Sequence, residues 1–218
     1  MNSLCIIAVS SSSSISECSA TTCIGKETTR STTNIIVYPF DQNYNDLSGL
    51  RGGIGFGSTA PGYDYAYIGL ACLRLTTAAS LQYIQIPEID FSQKSFTIET
   101  WLFYNGPSNN ESAIFSQCDI NNVCLLVAVR YGRIFVSFDS MNVASRTLTG
   151  GYVASSSYWF HLAVVYDASS YQLRIYINGV VDAISTSAFS PYQGLTTGST
   201  TAIGKGRSSD YDFTYYLG

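Results

Sequence analysis

The chain is poor in charge: Asp, Glu, Lys and Arg together make up 12% of its 218 residues, the net charge is −4, and no basic cluster occurs anywhere. A phosphate backbone is held by neutralising it with several Lys and Arg, so the composition argues against nucleic acid as a partner. Histidine is nearly absent. The single one, His161, would have to centre any Ser-His-Asp or Cys-His relay, and no nucleophile-elbow sequence accompanies it. No apolar run approaches the ~20 residues that a membrane-crossing helix needs. The nearest is Leu4-Cys5-Ile6-Ile7-Ala8-Val9, which has no basic flank and is followed by Ser10 to Ser14. It reads either as a short secretion-signal core or as a stray apolar patch in a leader. Helical periodicity is also missing beyond a turn or two. What is present is Tyr, Phe, Val, Ile, Ser, Thr and Gly, the composition of strands and turns.

The six cysteines are Cys5, Cys18, Cys23, Cys72, Cys118 and Cys124. None has a histidine nearby or a second close pair at zinc-ribbon spacing, which argues against a zinc site. Cys118 and Cys124 flank Asp119-Ile120-Asn121-Asn122-Val123, a polar loop between two apolar runs. The ends of such a loop between antiparallel strands come close enough to bridge, so a structural disulfide in an oxidising compartment is expected. Cys18 and Cys23 would close a second small loop, and Cys72, in an apolar strand, reads as a buried thiol rather than a nucleophile. Asn110-Glu111-Ser112 is a glycosylation sequon, with Asn110 as acceptor. These features point to a secreted protein or to the extracellular face of a membrane protein.

Residues 1–33 are Ser/Thr-rich with almost no apolar periodicity after Val9. Such a segment buries too little surface to offset its ordering entropy and is expected to be a flexible leader or stalk. The folded region is expected over residues 34–218. It opens with the edge-like run Asn34-Ile35-Ile36-Val37-Tyr38-Pro39-Phe40, then a Gly-rich stretch from Asp41 to Gly62 that looks too turn-laden for regular structure. Short strands follow. In Ser95–Tyr104, Phe96, Ile98, Thr100 and Leu102 share one face by the two-residue period, while Trp101 and Phe103 take the other. Tyr158, Phe160, Leu162, Val164 and Tyr166 make another single-faced row. Tight turns are expected at Tyr131-Gly132 and at Asn178-Gly179, the latter a strong hairpin signal because both residues tolerate positive φ. Many short strands separated by turns indicate an all-β sandwich or barrel.

The ordered set Ser95-Phe96-Thr97-Ile98-Glu99-Thr100-Trp101-Leu102, Arg133-Ile134-Phe135-Val136, Tyr158 through Asp167, Leu173 through Gly179 and Thr201-Ala202-Ile203-Gly204 resembles the LamG-like jelly roll of the concanavalin A-like lectin/glucanase superfamily. The resemblance covers roughly residues 34 to 218. It implies a two-sheet antiparallel jelly-roll β-sandwich and an extracellular module that binds carbohydrate or protein, sometimes through calcium. The family pattern also expects one more strand beginning where Leu217-Gly218 stand, so the sequence is expected to lack its last strand.

Because the superfamily includes glycan hydrolases, the carboxylates need weighing. A retaining glycosidase needs two of them about 5 Å apart. Glu88-Ile89-Asp90-Phe91-Ser92 matches the first part of a Glu-x-Asp-x-Glu motif and fails at Ser92. Glu99 is expected to be structural, hydrogen-bonded within the sandwich, and His161 to be a packed residue beside Trp159, Ala163 and Val165. Calcium needs hard oxygens from separate loops; the candidates are Asp139 and Asp64, with Asp41 and Asp46 beside them, although loop aspartates are more often turn formers. Tyr63, Tyr65 and Tyr67 alternate along their segment and are the candidate ligand-binding residues, since aromatic faces stack on sugars or on a partner protein. Tyr211, Tyr215 and Tyr216 invite the same comment. The expectation is a non-catalytic extracellular recognition module for a glycan or protein. The alternatives are a structural spacer of a surface protein without small ligand and, more weakly, a glycoside hydrolase.

Overall fold

The computed structural model describes residues 2–12, 35–58, 61–64, 70–75, 81–105, 111–119, 124–138, 146–154, 158–186, 188–194, 200–208 and 211–215. The long strands form because their residues alternate. In β7 (Ser95–Phe103) and β12 (Trp159–Asp167) the even-numbered residues Phe96, Ile98, Leu102, Phe160, Leu162, Val164 and Tyr166 are buried and the odd-numbered ones, apart from the buried Ser95, half-buried. β13 (Gln172–Ile177) repeats this with Leu173, Ile175 and Ile177 inward.

These strands belong to the first of two antiparallel sheets. Its order is β14 (Val180–Ile184), β13, β12, β7, β1 (Asn2–Ser12), β5 (Cys72–Leu75) and β4 (Gly62–Asp64), with β2 (Ile35–Tyr38) also paired to β1. The second sheet runs β11 (Thr147–Val153), β10 (Arg133–Ser137), β9 (Cys124–Arg130), β8 (Glu111–Cys118), β15 (Thr200–Ile203), β6 (Tyr83–Ile86) and β3 (Ile54–Phe56). A hairpin of β16 (Lys205–Ser208) and β17 (Tyr211–Tyr215) completes the described strands. This is the expected all-β sandwich.

The core lies between the sheets and is aromatic-rich. Phe138 meets Tyr166, Phe189 and Tyr192 edge-on, with ring centroids 5.1, 4.7 and 6.2 Å away, geometry that adds to the area term. Two of the buried tyrosines keep their hydroxyls bonded: Tyr166 donates to the Phe189 carbonyl at 3.0 Å and Tyr192 to that of Gln117 at 3.1 Å. Burial is the main reason the Tyr166 hydroxyl is pushed up to about 12. At one side, Asp182 of β14 accepts the Tyr152 N–H of β11 at 2.7 Å, tying the two sheet edges together.

Several local expectations hold. Tyr131-Gly132 and Asn178-Gly179 both have paired positive φ (50° and 74°, 52° and 78°) and join β9 to β10 and β13 to β14. Cys118 and Cys124 face each other at the end of the β8–β9 pair and are bonded, with Cα atoms 4.1 Å apart. Cys72 is a buried thiol whose Sγ donates to the Asp64 carbonyl at 3.6 Å.

Others need correction. Residues 1–33 are not leader throughout, because Asn2–Ser12 forms a strand. It pairs with β7 from Ser3↔Phe103 to Ser12↔Ser95, with β2 through Ile7–Ser10, and with β5 through Asn2–Leu4. The run Leu4–Val9 has strand propensity and meets unpaired edges that need hydrogen bonds. Residues 13–34, Cys18 and Cys23 among them, lie outside the described residues. Within the stretch Asp41–Gly62, Ile54–Phe56 is regular after all, paired to β6 as an edge strand. Tyr158 is exposed and precedes β12 instead of joining its inward row.

Candidate functional site

The alternation that builds the core also decides what the outer faces carry. On the first sheet, β7 and β12 pair Phe103↔Trp159, Trp101↔His161, Glu99↔Ala163 and Thr97↔Val165. β12 and β13 then set Tyr176 beside Ala163 and Arg174 beside Val165. All of these point away from the core, so the outer face carries an aromatic strip. The Phe103 and Trp159 rings are 5.5 Å apart and those of Trp101 and His161 5.4 Å, both tilted. Glu99 lies next to this group. Its Oε2 is 3.8 Å from His161 Nε2, an ion pair when the imidazole is protonated, and the two side chains are 46% and 26% exposed respectively. The chain's two tryptophans therefore both stand on this face. Beyond Tyr176 and Arg174, β14 adds the exposed Val181 and Ile184.

The outer face of the second sheet is largely covered. Ala113, Cys124, Leu126, Ala128 and Phe135 form a second apolar cluster there, over which β16 lies. The Lys205 carbonyl accepts the Ser116 hydroxyl at 2.6 Å. A Cβ on Gly206 would lie 2.5 Å from Leu126 Cδ1 and 3.0 Å from Ala113 Cβ, so a side chain here would have to displace Leu126. At one end Arg130 pairs with the buried carboxylate of Glu111, its guanidinium 4.2 Å from the Phe135 centroid. At the other end Phe56, 38% exposed, stacks on Tyr83 at 4.9 Å, with Lys205 Nζ 4.3 Å from the Tyr83 ring.

The residues singled out from sequence fare differently. Tyr63, in β4, is half-buried against Tyr44 at 5.7 Å, which makes it partly a packing residue; burial pushes its hydroxyl up. Tyr65 and Tyr67 lie outside the described residues, as do Asp139, Asn110 and Tyr216. Asp64 lies 3.9 Å from Arg74. Asp41 accepts the N–H groups of Leu70 and Ala71 at 2.9 and 3.1 Å, and Asp46 accepts the Arg51 N–H at 2.7 Å. Both aspartates order loops, the turn-former role. Among the described residues no three His, Cys, Asp or Glu side chains converge as a cation site would need. Glu99 is on the outer face and not hydrogen-bonded within the sandwich. His161, the half-buried member of the strip, was legible in the period-two pattern that put it beside Trp159, but its cross-strand partners Trp101 and Glu99 were not.

The profile of the concanavalin A-like lectin/glucanases superfamily matches residues 79–217. No curated protein matches the sequence. Among solved structures, domain 4 of AbnA, a GH43 extracellular arabinanase from Geobacillus stearothermophilus solved in complex with arabinotriose, is similar over 82% of this chain and 85% of that one, at 19% identity and a TM-score of 0.60. The CBM40 of the Ruminococcus gnavus IT-sialidase is similar over 77% and 88%, at 16% identity and a TM-score of 0.46. Among the described residues, no helix is long and apolar enough to cross a membrane. With the family profile covering well over half of the sequence and two antiparallel sheets stacked as observed, the chain belongs to the concanavalin A-like lectin/glucanases superfamily as a laminin G-like jelly roll.

Proposed function

We propose that this protein is a non-catalytic, extracellular recognition module that binds carbohydrate on the aromatic outer face of the first sheet. The observation that carries this reading is the register-paired group Trp101, His161, Phe103 and Trp159, with Glu99 and Tyr176 beside it. The C–H faces of a sugar ring are apolar and meet the negative π-face of an aromatic ring favourably, while a few polar groups fix its hydroxyls. The arabinotriose held by the Geobacillus domain makes that trisaccharide a reasonable first ligand. The laminin G-like fold and the Cys118–Cys124 disulfide favour an oxidising, extracellular setting.

The carboxylates favour binding over hydrolysis. A glycosidase acid needs a raised pKa beside a second carboxylate about 5 Å away. Here Lys94 and the Ser92 N–H hold Asp90 below the usual carboxylate range, Ser170 and Ser169 bring Asp167 down to about 2, and Glu111 is neutralised by Arg130. A protein partner is the second reading, favoured by the exposed aliphatic margin of Val181 and Ile184 next to Tyr176.

Since both tryptophans lie on the face in question, their fluorescence reports on it directly. Titration with arabinotriose, laminaritriose and similar neutral oligosaccharides is expected to shift the emission saturably. Trp101→Ala and Trp159→Ala should each weaken binding about tenfold or more, the scale of ~1.4 kcal/mol from a lost aromatic contact. Binding that survives both substitutions unchanged, or measurable hydrolysis of arabinan or β-glucan, would overturn the proposal.

A further inference from the structure

Resting on that reading, we infer that Glu99 makes the aromatic face selective for uncharged glycans and against those carrying carboxylate or sulfate groups. Glu99 sits in mid-strand with the small Ala163 across from it on β12 and Ala8 as its register partner on β1. Trp101 follows two residues along β7, on the same face. The Glu99 side chain is nearly half exposed, with His161 Nε2 at 3.8 Å. A sugar stacked on Trp101 therefore brings its hydroxyls to the Glu99 carboxyl, whose two oxygens accept up to about four hydrogen bonds and donate none when ionised.

Apart from His161, a cation beside Glu99 only when protonated, the other charges on this face are remote or committed. Arg74, in the same row as Phe103 and two strands from it across β1, lies 3.9 Å from Asp64. Arg174 stands two strands away and one row along, about 12 Å off by ordinary sheet spacings. Asp167 is farther along β12, and its carboxylate is held by the hydroxyls of Ser169 and Ser170 at 2.7 Å each. An anionic group on a ligand stacked at Trp101 thus meets Glu99 first, and the net charge of −4 adds in the same sense. A hydroxyl meets an acceptor; a carboxylate meets repulsion.

The test compares arabinotriose and laminaritriose with derivatives of the same trisaccharides whose primary hydroxyls are oxidised to carboxylates. Tryptophan fluorescence reads the affinities at low and physiological salt, for the unaltered protein, Glu99→Gln and Glu99→Ala. The neutral form is expected to bind at least about tenfold tighter than the acidic form, a gap that shrinks with salt as Coulomb repulsion is screened. Glu99→Gln should narrow the gap to less than about threefold by strengthening the acidic ligand, and Glu99→Ala should weaken the neutral one. Equal binding of the two forms, or a gap that Glu99→Gln leaves intact, sinks this inference alone if neutral binding still depends on Trp101. Failure of every trisaccharide to bind removes the underlying reading and this inference with it.

Discussion

Arg130 and Glu111 face each other across the β8–β9 pair, with side chains 11% and 0% exposed. An ion pair this dry is costly to half-remove, because the surviving charge keeps its desolvation penalty and loses its compensation. Arg130→Met is therefore expected to lower unfolding stability by about 3 kcal/mol or more in urea titrations, and Glu111→Gln by less. Asp167 behaves differently because it is open to water and bonded to small hydroxyls. Its carboxyl is held down at about 2 by Ser170 and Ser169, below the unfolded value of ~3.9, so its contribution to stability is fully present above about pH 4 and fades as pH falls towards 2. Asp167→Asn should be less stable than the parent at pH 7, and the difference should close between about pH 4 and 2 in melts at successive pH values. Neither role was legible in sequence. Glu111 read only as the middle of a glycosylation sequon and Asp167 as the end of a strand, because a carboxylate's partner is set by fold and turn geometry.

Among the elements, the paired strands were the easiest to anticipate, since a half-buried strand writes its burial into the sequence at every second residue. β7, β12 and β13 were expected with nearly the bounds observed. The Asn178-Gly179 turn was expected because both residues tolerate positive φ, and the Tyr131-Gly132 turn because a glycine separates two apolar runs. β3 was missed because a three-residue strand among glycines carries no period. β1 was missed because Ser-rich sequence weighs against packing, although a strand filling a gap needs its backbone more than its side chains. The β8–β9 staple was anticipated. It closes a short loop, so the gain from restricting the unfolded chain is modest. Replacing Cys118 and Cys124 with Ser should cost about 2 kcal/mol and leave glycan binding unaltered, as measured by thermal melts and fluorescence titration.

On the scale of the whole molecule, β1 is the one described strand that hydrogen-bonds β7 to β2 and β5. Removing residues 2–12 leaves two edges facing an empty lane in the first sheet, and unpaired backbone is expensive. Such a chain is expected to lose its cooperative melt, or to melt at least about 10 °C lower by near-ultraviolet circular dichroism. A melt like that of the full chain would mean that β1 contributes nothing to the sheet. Sequence alone determined that this is a layered all-β protein with a stapled hairpin, because residue period, turn chemistry and cysteine spacing are local properties. Which aromatic rings gather, and which carboxylate stands beside them, was decided only by strand register: Trp101 and His161 are sixty positions apart in the chain and neighbours only because β7 and β12 pair as they do. A local window of sequence does not show that pairing, since it depends on how two segments far apart in the chain match their buried faces and so align in register.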